Sequence, residues 1–105
     1  MTISQPDLDR VAAWCEQQVP IHVRDQVAFG YTKRGESITL LERRAPWDGV
    51  GDWTARPFAQ LRRTGMAWRL YWPDRNTRWH LRPEFPAADI QTLLDIVADP
   101  RHGFE

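Results

Sequence analysis

Residues 58–82, FAQLRRTGMAWRLYWPDRNTRWHLR, constrain the fold more than any other segment. Two turn signals interrupt the run, Thr64-Gly65 and Pro73-Asp74-Arg75-Asn76. They cut it into strands at 58–63, 67–72 and 77–82, in which apolar and polar residues alternate. Alternation at period two marks a strand with one buried face, and connections this short join antiparallel neighbours. A two-residue first turn sets Leu61 opposite Trp68 and Ala59 opposite Leu70. A four-residue second turn sets Leu70 opposite Trp79 and Trp68 opposite Leu81. On that register every apolar pair falls on one side. The other side carries Phe58, Gln60, Arg62, Arg69, Tyr71, Arg78, His80 and Arg82.

The flanking segments complete the pattern. Ser4-Gln5-Pro6-Asp7 is a helix start, with Ser4 as the cap and Pro6 in the first turn. Leu8, Val11, Ala12, Cys15 and Val19 then recur at helical spacing, with Trp14 beside the stripe, until Pro20 ends the helix. Residues 21–33 alternate through Ile21, Val23, Val27, Phe29 and Tyr31 and read as a half-buried strand. After a turn, residues 37–44 return as a second strand. A loop at Arg34-Gly35 places Tyr31 opposite Ile38 and Phe29 opposite Leu40, with Glu42 near Val27 and Asp25 near Arg44. Residues 45–57 break any period with two prolines and two glycines, and Trp47 and Trp53 are expected to pin this loop to the body. Ile90, Leu93, Leu94 and Val97 define a closing helix behind Asp89.

Consecutive strands flanked by helices indicate α+β. The expected architecture is a single domain over residues 1–105: a five-stranded antiparallel meander with the N-terminal and C-terminal helices packed on one face. A chain of 105 residues fits one domain. Its lone cysteine, Cys15, allows no internal disulfide and reads as a small core residue. The start of the chain lacks the basic and apolar blocks of a signal peptide, and no apolar run reaches membrane-spanning length. A cytoplasmic location is the expectation.

Formal net charge is zero, but residues 56–82 carry seven arginines against one acid, Asp74, while both ends are acidic. Lys33 is the only lysine. Arginine suits planar, bidentate contacts with phosphate or carboxylate. Three function classes follow. In the first, Arg62, Arg69, Tyr71, Arg78, His80 and Arg82 form an anion-attracting face that binds a polyanion or single-stranded nucleic acid. In the second, the exposed sheet face joins two copies as a homodimer or meets another protein. In the third, Asp25, Glu42, Asp74, His22 and His80 supply a metal-dependent nuclease or hydrolase. The third lacks the convergent acids and the ligand spacing that such sites need, and Asp74 reads more simply as a turn residue capping backbone amides. A binding module without cofactor or metal is the reading adopted here.

Four stretches carry a resemblance to a known family: Val19-Pro20-Ile21-His22-Val23-Arg24-Asp25-Gln26, Glu42-Arg43-Arg44-Ala45-Pro46-Trp47-Asp48, the block from Trp68 to His80, and the segment from Asp99 to Phe104. Together they resemble the domain-of-unknown-function family DUF3024, in order along nearly the whole chain. The resemblance implies a small bacterial stand-alone protein and brings no established activity. The family block often ends in a tyrosine two residues after the histidine, where this chain has Arg82.

Overall fold

The computed structural model describes residues 3–18, 25–46, 48–76, 78–99 and 101. Helix α1 (Gln5–Gln17) leads into a sheet of β1 (Val27–Arg34), β2 (Ser37–Arg44), β3 (Thr54–Thr64), β4 (Ala67–Pro73) and β5 (Trp79–Leu81), and α2 (Ile90–Ala98) follows. The strands lie in the order β1-β2-β3-β4-β5, each antiparallel to its neighbour. The expected α+β meander with two helices is the observed fold. The expected strand at residues 21–24, the end of the first helix at Pro20, and Trp47 lie outside the described residues.

The helices form where local chemistry starts them. The Ser4 side chain accepts a hydrogen bond from the Asp7 amide at 3.4 Å, and the Asp89 carboxylate accepts one from the Thr92 amide at 2.8 Å. Both satisfy an otherwise orphaned N–H of the first turn. Val11, Trp14 and Cys15 are the buried residues of α1. Trp14 therefore takes the place expected for Ala12, which is exposed. Ile90, Leu93, Leu94 and Val97 of α2 are all buried, as their spacing predicts. Burial pushes the Cys15 thiol up to about 11, with Glu16 adding to the shift, so it stays protonated at neutral pH.

Both helices meet one side of the sheet. There Ile38, Leu40, Ala59, Leu61 and Leu70 are fully enclosed, and Trp14 stacks on Phe29 at 6.0 Å between centroids. Burying a leucine or isoleucine side chain contributes roughly 1.5–3 kcal/mol, so this layer is the main source of stability.

Both tight hairpins slip by two residues from the expected register. Tyr31 pairs with Leu40 rather than Ile38, and Leu61 pairs with Leu70 rather than Trp68. The loops are Gly35-Glu36 and Gly65-Met66, with Gly35 at φ 58° and Gly65 at φ 64°. Primed hairpin turns have positive φ at the first loop position, and in both of these loops a glycine occupies it. A shift of two leaves every side chain on its expected side.

Two other differences do change sides. Strand β3 begins at Thr54 instead of 58 and contains Pro57, and the pairing with β2 shifts between Leu40 and Leu41. The extra residue is Phe58. This bulge accommodates a proline within a strand and brings Phe58 into the core, 4% exposed and 5.4 Å from the Phe29 ring. Phe58 is therefore not on the arginine side. At the far edge, Tyr71 pairs with Leu81 and Trp72 with His80, where Leu70 opposite Trp79 was expected. This offset is odd, so Trp79 and Leu81 change sides with His80. Beyond β5, the Arg82 amide donates to the Leu70 carbonyl, and Trp68 and Ala88 exchange two backbone hydrogen bonds. The returning chain thus follows the edge of β4 and delivers Asp89 to the start of α2.

Candidate nucleic-acid interface

The side of the sheet away from the helices is assembled from alternate residues of the same strands. Register aligns Arg34, Ser37, Arg62 and Arg69 in one row crossing β1 to β4. The adjacent row is Thr32, Thr39, Gln60, Tyr71 and Leu81. With strands about 4.8 Å apart, the arginine row spans about 14 Å. Arg43 lies on the same side, paired with Ala28. Among the described residues, Glu42 is the only acidic residue in a strand, and it lies on the helix side beside Leu40. The open side therefore presents four strand arginines and no strand carboxylate. Among the described residues, none of Arg34, Arg43, Arg62 and Arg69 is in an ion pair.

One of these arginines is held in place. The Arg62 Nε donates to Gln60 Oε1 at 2.6 Å, and Gln60 Nε2 donates to Thr39 Oγ1 at 3.0 Å. The Arg62 guanidinium carbon sits 4.2 Å from the Tyr71 ring centroid, a cation–π contact. Gln60 is only 9% exposed although it faces away from the helices. Its amide has exchanged water for two side-chain partners, which is what a buried polar group requires.

The six residues singled out from the sequence divide into two groups. Arg62, Arg69 and Tyr71 are together on the open side. Arg78 and His80 follow the parity of Trp72, and Arg82 follows that of Leu70, so these three belong to the other side. There the Arg82 Nε donates to Glu84 at 3.0 Å, and its guanidinium lies over Phe85. Trp79 and Leu81, expected in the core, are half-buried on the open side instead. The signal that could have located them is Asp74. Its Oδ1 accepts hydrogen bonds from the amides of Asn76 at 2.8 Å and Arg78 at 3.0 Å, and its own amide donates to the Arg78 carbonyl at 2.9 Å. These bonds tie Asp74 to Asn76 and Arg78, and with Pro73 paired to Trp79 the β4–β5 connection is one residue longer than the turn expected.

The other titratable groups singled out from the sequence are dispersed among the described residues. Asp74 Oδ2 meets His80 Nε2 at 2.8 Å, and the His80 ring lies 5.0 Å from that of Trp72. The hydrogen bond with His80 and those from the Arg78 and Asn76 amides hold the Asp74 carboxyl below its ordinary range. Both Asp74 and His80 thus serve the turn. Glu42 is engaged by Arg44 at 2.7 Å and Arg56 at 3.8 Å. It pairs with Phe29 across the hairpin and not with Val27, whose partner is Arg44. Asp25 lines an open hollow of about 510 Å³ with Arg44, Pro46 and Gly49, and His22 lies outside the described residues. Among the described residues no group of three His, Cys, Asp or Glu side chains could hold a metal ion. Trp53, expected to pin its loop, is 42% exposed. No helix among the described residues is long and apolar enough to cross a membrane.

No curated protein and no solved structure matches the chain. The model of a domain of unknown function, DUF3024, matches residues 1–104, and with nearly the full length covered, the chain belongs to the DUF3024 family.

Proposed function

We propose that this protein is a binding module whose open sheet face holds single-stranded nucleic acid, without cofactor or metal. The observation that carries this reading is the row of Arg34, Ser37, Arg62 and Arg69, with no strand carboxylate on its side of the sheet. A cationic row suits a phosphodiester backbone laid across the strands. The neighbouring Tyr71 and Trp79 supply aromatic surface for unstacked bases, the combination that sheet-based single-strand binders use. Arginine serves both tasks, because its guanidinium pairs with phosphate and stacks on planar rings.

Self-association through the same face is the second reading. Half-buried Leu41, Tyr71, Trp79 and Leu81 favour it. The four arginines oppose it, because a two-fold contact sets like charges against one another with no strand carboxylate on that side to offset them.

Fluorescence anisotropy with a labelled single-stranded oligonucleotide at low salt tests the proposal. The wild type binds, Arg69→Ala weakens binding, and Arg78→Ala, on the opposite side, leaves it close to wild type. Absence of binding at low salt, or an equal loss from both substitutions, defeats the proposal. A dimer in sedimentation together with no oligonucleotide binding supports the second reading.

A further inference from the structure

The open face contains a second device within its cationic row, and the inference drawn from it rests on the nucleic-acid reading. Arg62 is built differently from its neighbours. Arg34, Arg43 and Arg69 make no ion pair among the described residues, and no side-chain hydrogen bond is seen for them. Arg62 instead has Nε fixed by Gln60, Gln60 fixed by Thr39, and its guanidinium carbon 4.2 Å from the Tyr71 centroid. A guanidinium that merely attracts phosphate needs no such anchoring, since long-range attraction tolerates a mobile side chain. A planar group that must offer its flat side does need it, because stacking depends on orientation.

We propose that Arg62 is a stacking platform: one nucleobase lies on the side of its guanidinium away from Tyr71, making a base–arginine–tyrosine stack, while Arg34 and Arg69 on either side of it in the row take the phosphates. Gln60 is then a positioning residue. It touches no ligand, and its amide holds the guanidinium at the angle the stack requires. The terminal nitrogens of Arg62 make no hydrogen bond among the described residues and are free to meet an adjoining phosphate oxygen. Recognition of this kind is tolerant of sequence, since every base has a flat face. It discriminates instead between a strand that carries bases and one that does not.

The test compares a single-stranded oligonucleotide with an abasic strand of equal length, which keeps the phosphates and lacks the bases. The wild type should bind the base-bearing strand about tenfold more tightly than the abasic one, within the range that stacking of one base supports. Arg62→Lys keeps the charge but cannot stack as a plane or bond Gln60 through Nε. It should erase that preference while the salt dependence of binding stays at the wild-type value. Gln60→Leu, similar in size and uncharged, should reduce the preference in the same direction with an unchanged salt dependence. Their melting curves establish that both variants are folded. Equal wild-type affinity for the two strands, or an Arg62→Lys variant that keeps the full preference, overturns the stacking role and leaves the nucleic-acid reading standing. A wild type that binds neither strand overturns that reading itself, and this inference with it.

Discussion

The two faces of this sheet are built from the same strands yet obey different rules. On the covered face, Leu40, Leu61 and Leu70 are fully enclosed by the helices and by one another. On the open face, Leu41, Arg62 and Tyr71, their immediate neighbours in sequence, are only partly buried. The covered face is held by the removal of apolar surface from water, which has no direction. The open face is organised by directed contacts, from Thr39 through Gln60 to Arg62 and Tyr71. Stability and surface chemistry are thus assigned to alternate residues of one strand, so substitutions at adjacent positions should separate them.

The largest effect is expected on the covered side. Leu70→Ala should cost about 3 kcal/mol, within the usual range for a leucine deleted from a packed core. Urea unfolding would show it as a lower midpoint with unchanged slope. Gly65→Ala comes next. A side chain there meets no other atom within 4 Å, but φ is +64°, and the left-handed backbone costs roughly 1–2 kcal/mol for a residue with a Cβ. Its loss should appear in stability and leave the sidedness of both faces intact. Tyr71→Ala, one position from Leu70, should cost less than about 1 kcal/mol, as surface positions do, and should weaken oligonucleotide binding. Equal destabilisation by Leu70→Ala and Tyr71→Ala would break the division between the faces.

The smallest effect concerns the edge that carries Trp79 and Leu81 to the open side. The Asp74 carboxyl is held below its ordinary range, chiefly by its hydrogen bond with His80 and then by the Arg78 amide. A depressed folded pKa contributes stability that is complete above the unfolded value, near pH 4, and is lost as pH falls through the folded value. The stability gap between wild type and Asp74→Asn, present at neutral pH, should therefore close below about pH 4. A gap of constant size down to the acid transition contradicts the role given to this carboxylate.

The sequence disclosed much of this division, and the exceptions have physical causes. Sidedness in β1 to β4 was legible because alternation alone determines it, and the two-residue slips at Gly35 and Gly65 could not disturb a period of two. The glycines alone left two registers open, since the first loop position of every primed turn has positive φ but a type I′ turn also takes glycine at the second. Phe58 was assigned to the wrong side because a bulge breaks alternation, and Pro57 was the only local sign of one. The β4–β5 connection failed for a different reason. Its length is decided by where the Asp74 carboxylate finds amide partners, which residue type alone does not state. As a result, half of the arginine group expected on one face, Arg78, His80 and Arg82, lies on the other. The Gln60–Arg62 bond had no sequence signal at all, because it depends on two side chains two residues apart on one strand turning toward each other.

The most direct test of the central claim is the salt dependence of oligonucleotide affinity, measured for the wild type and for variants that remove Arg34, Arg62 and Arg69 one at a time. Single-strand binding loses about 0.7 in the slope of log affinity against log salt for each phosphate neutralised, so three arginines predict a slope of about −2. Affinity should fall about 20-fold between 50 and 200 mM salt. Each substitution to alanine should bring the slope about 0.7 closer to zero, whereas Arg78→Ala should leave it unchanged. A wild-type slope near zero, or one that the three row substitutions do not alter, would contradict the account.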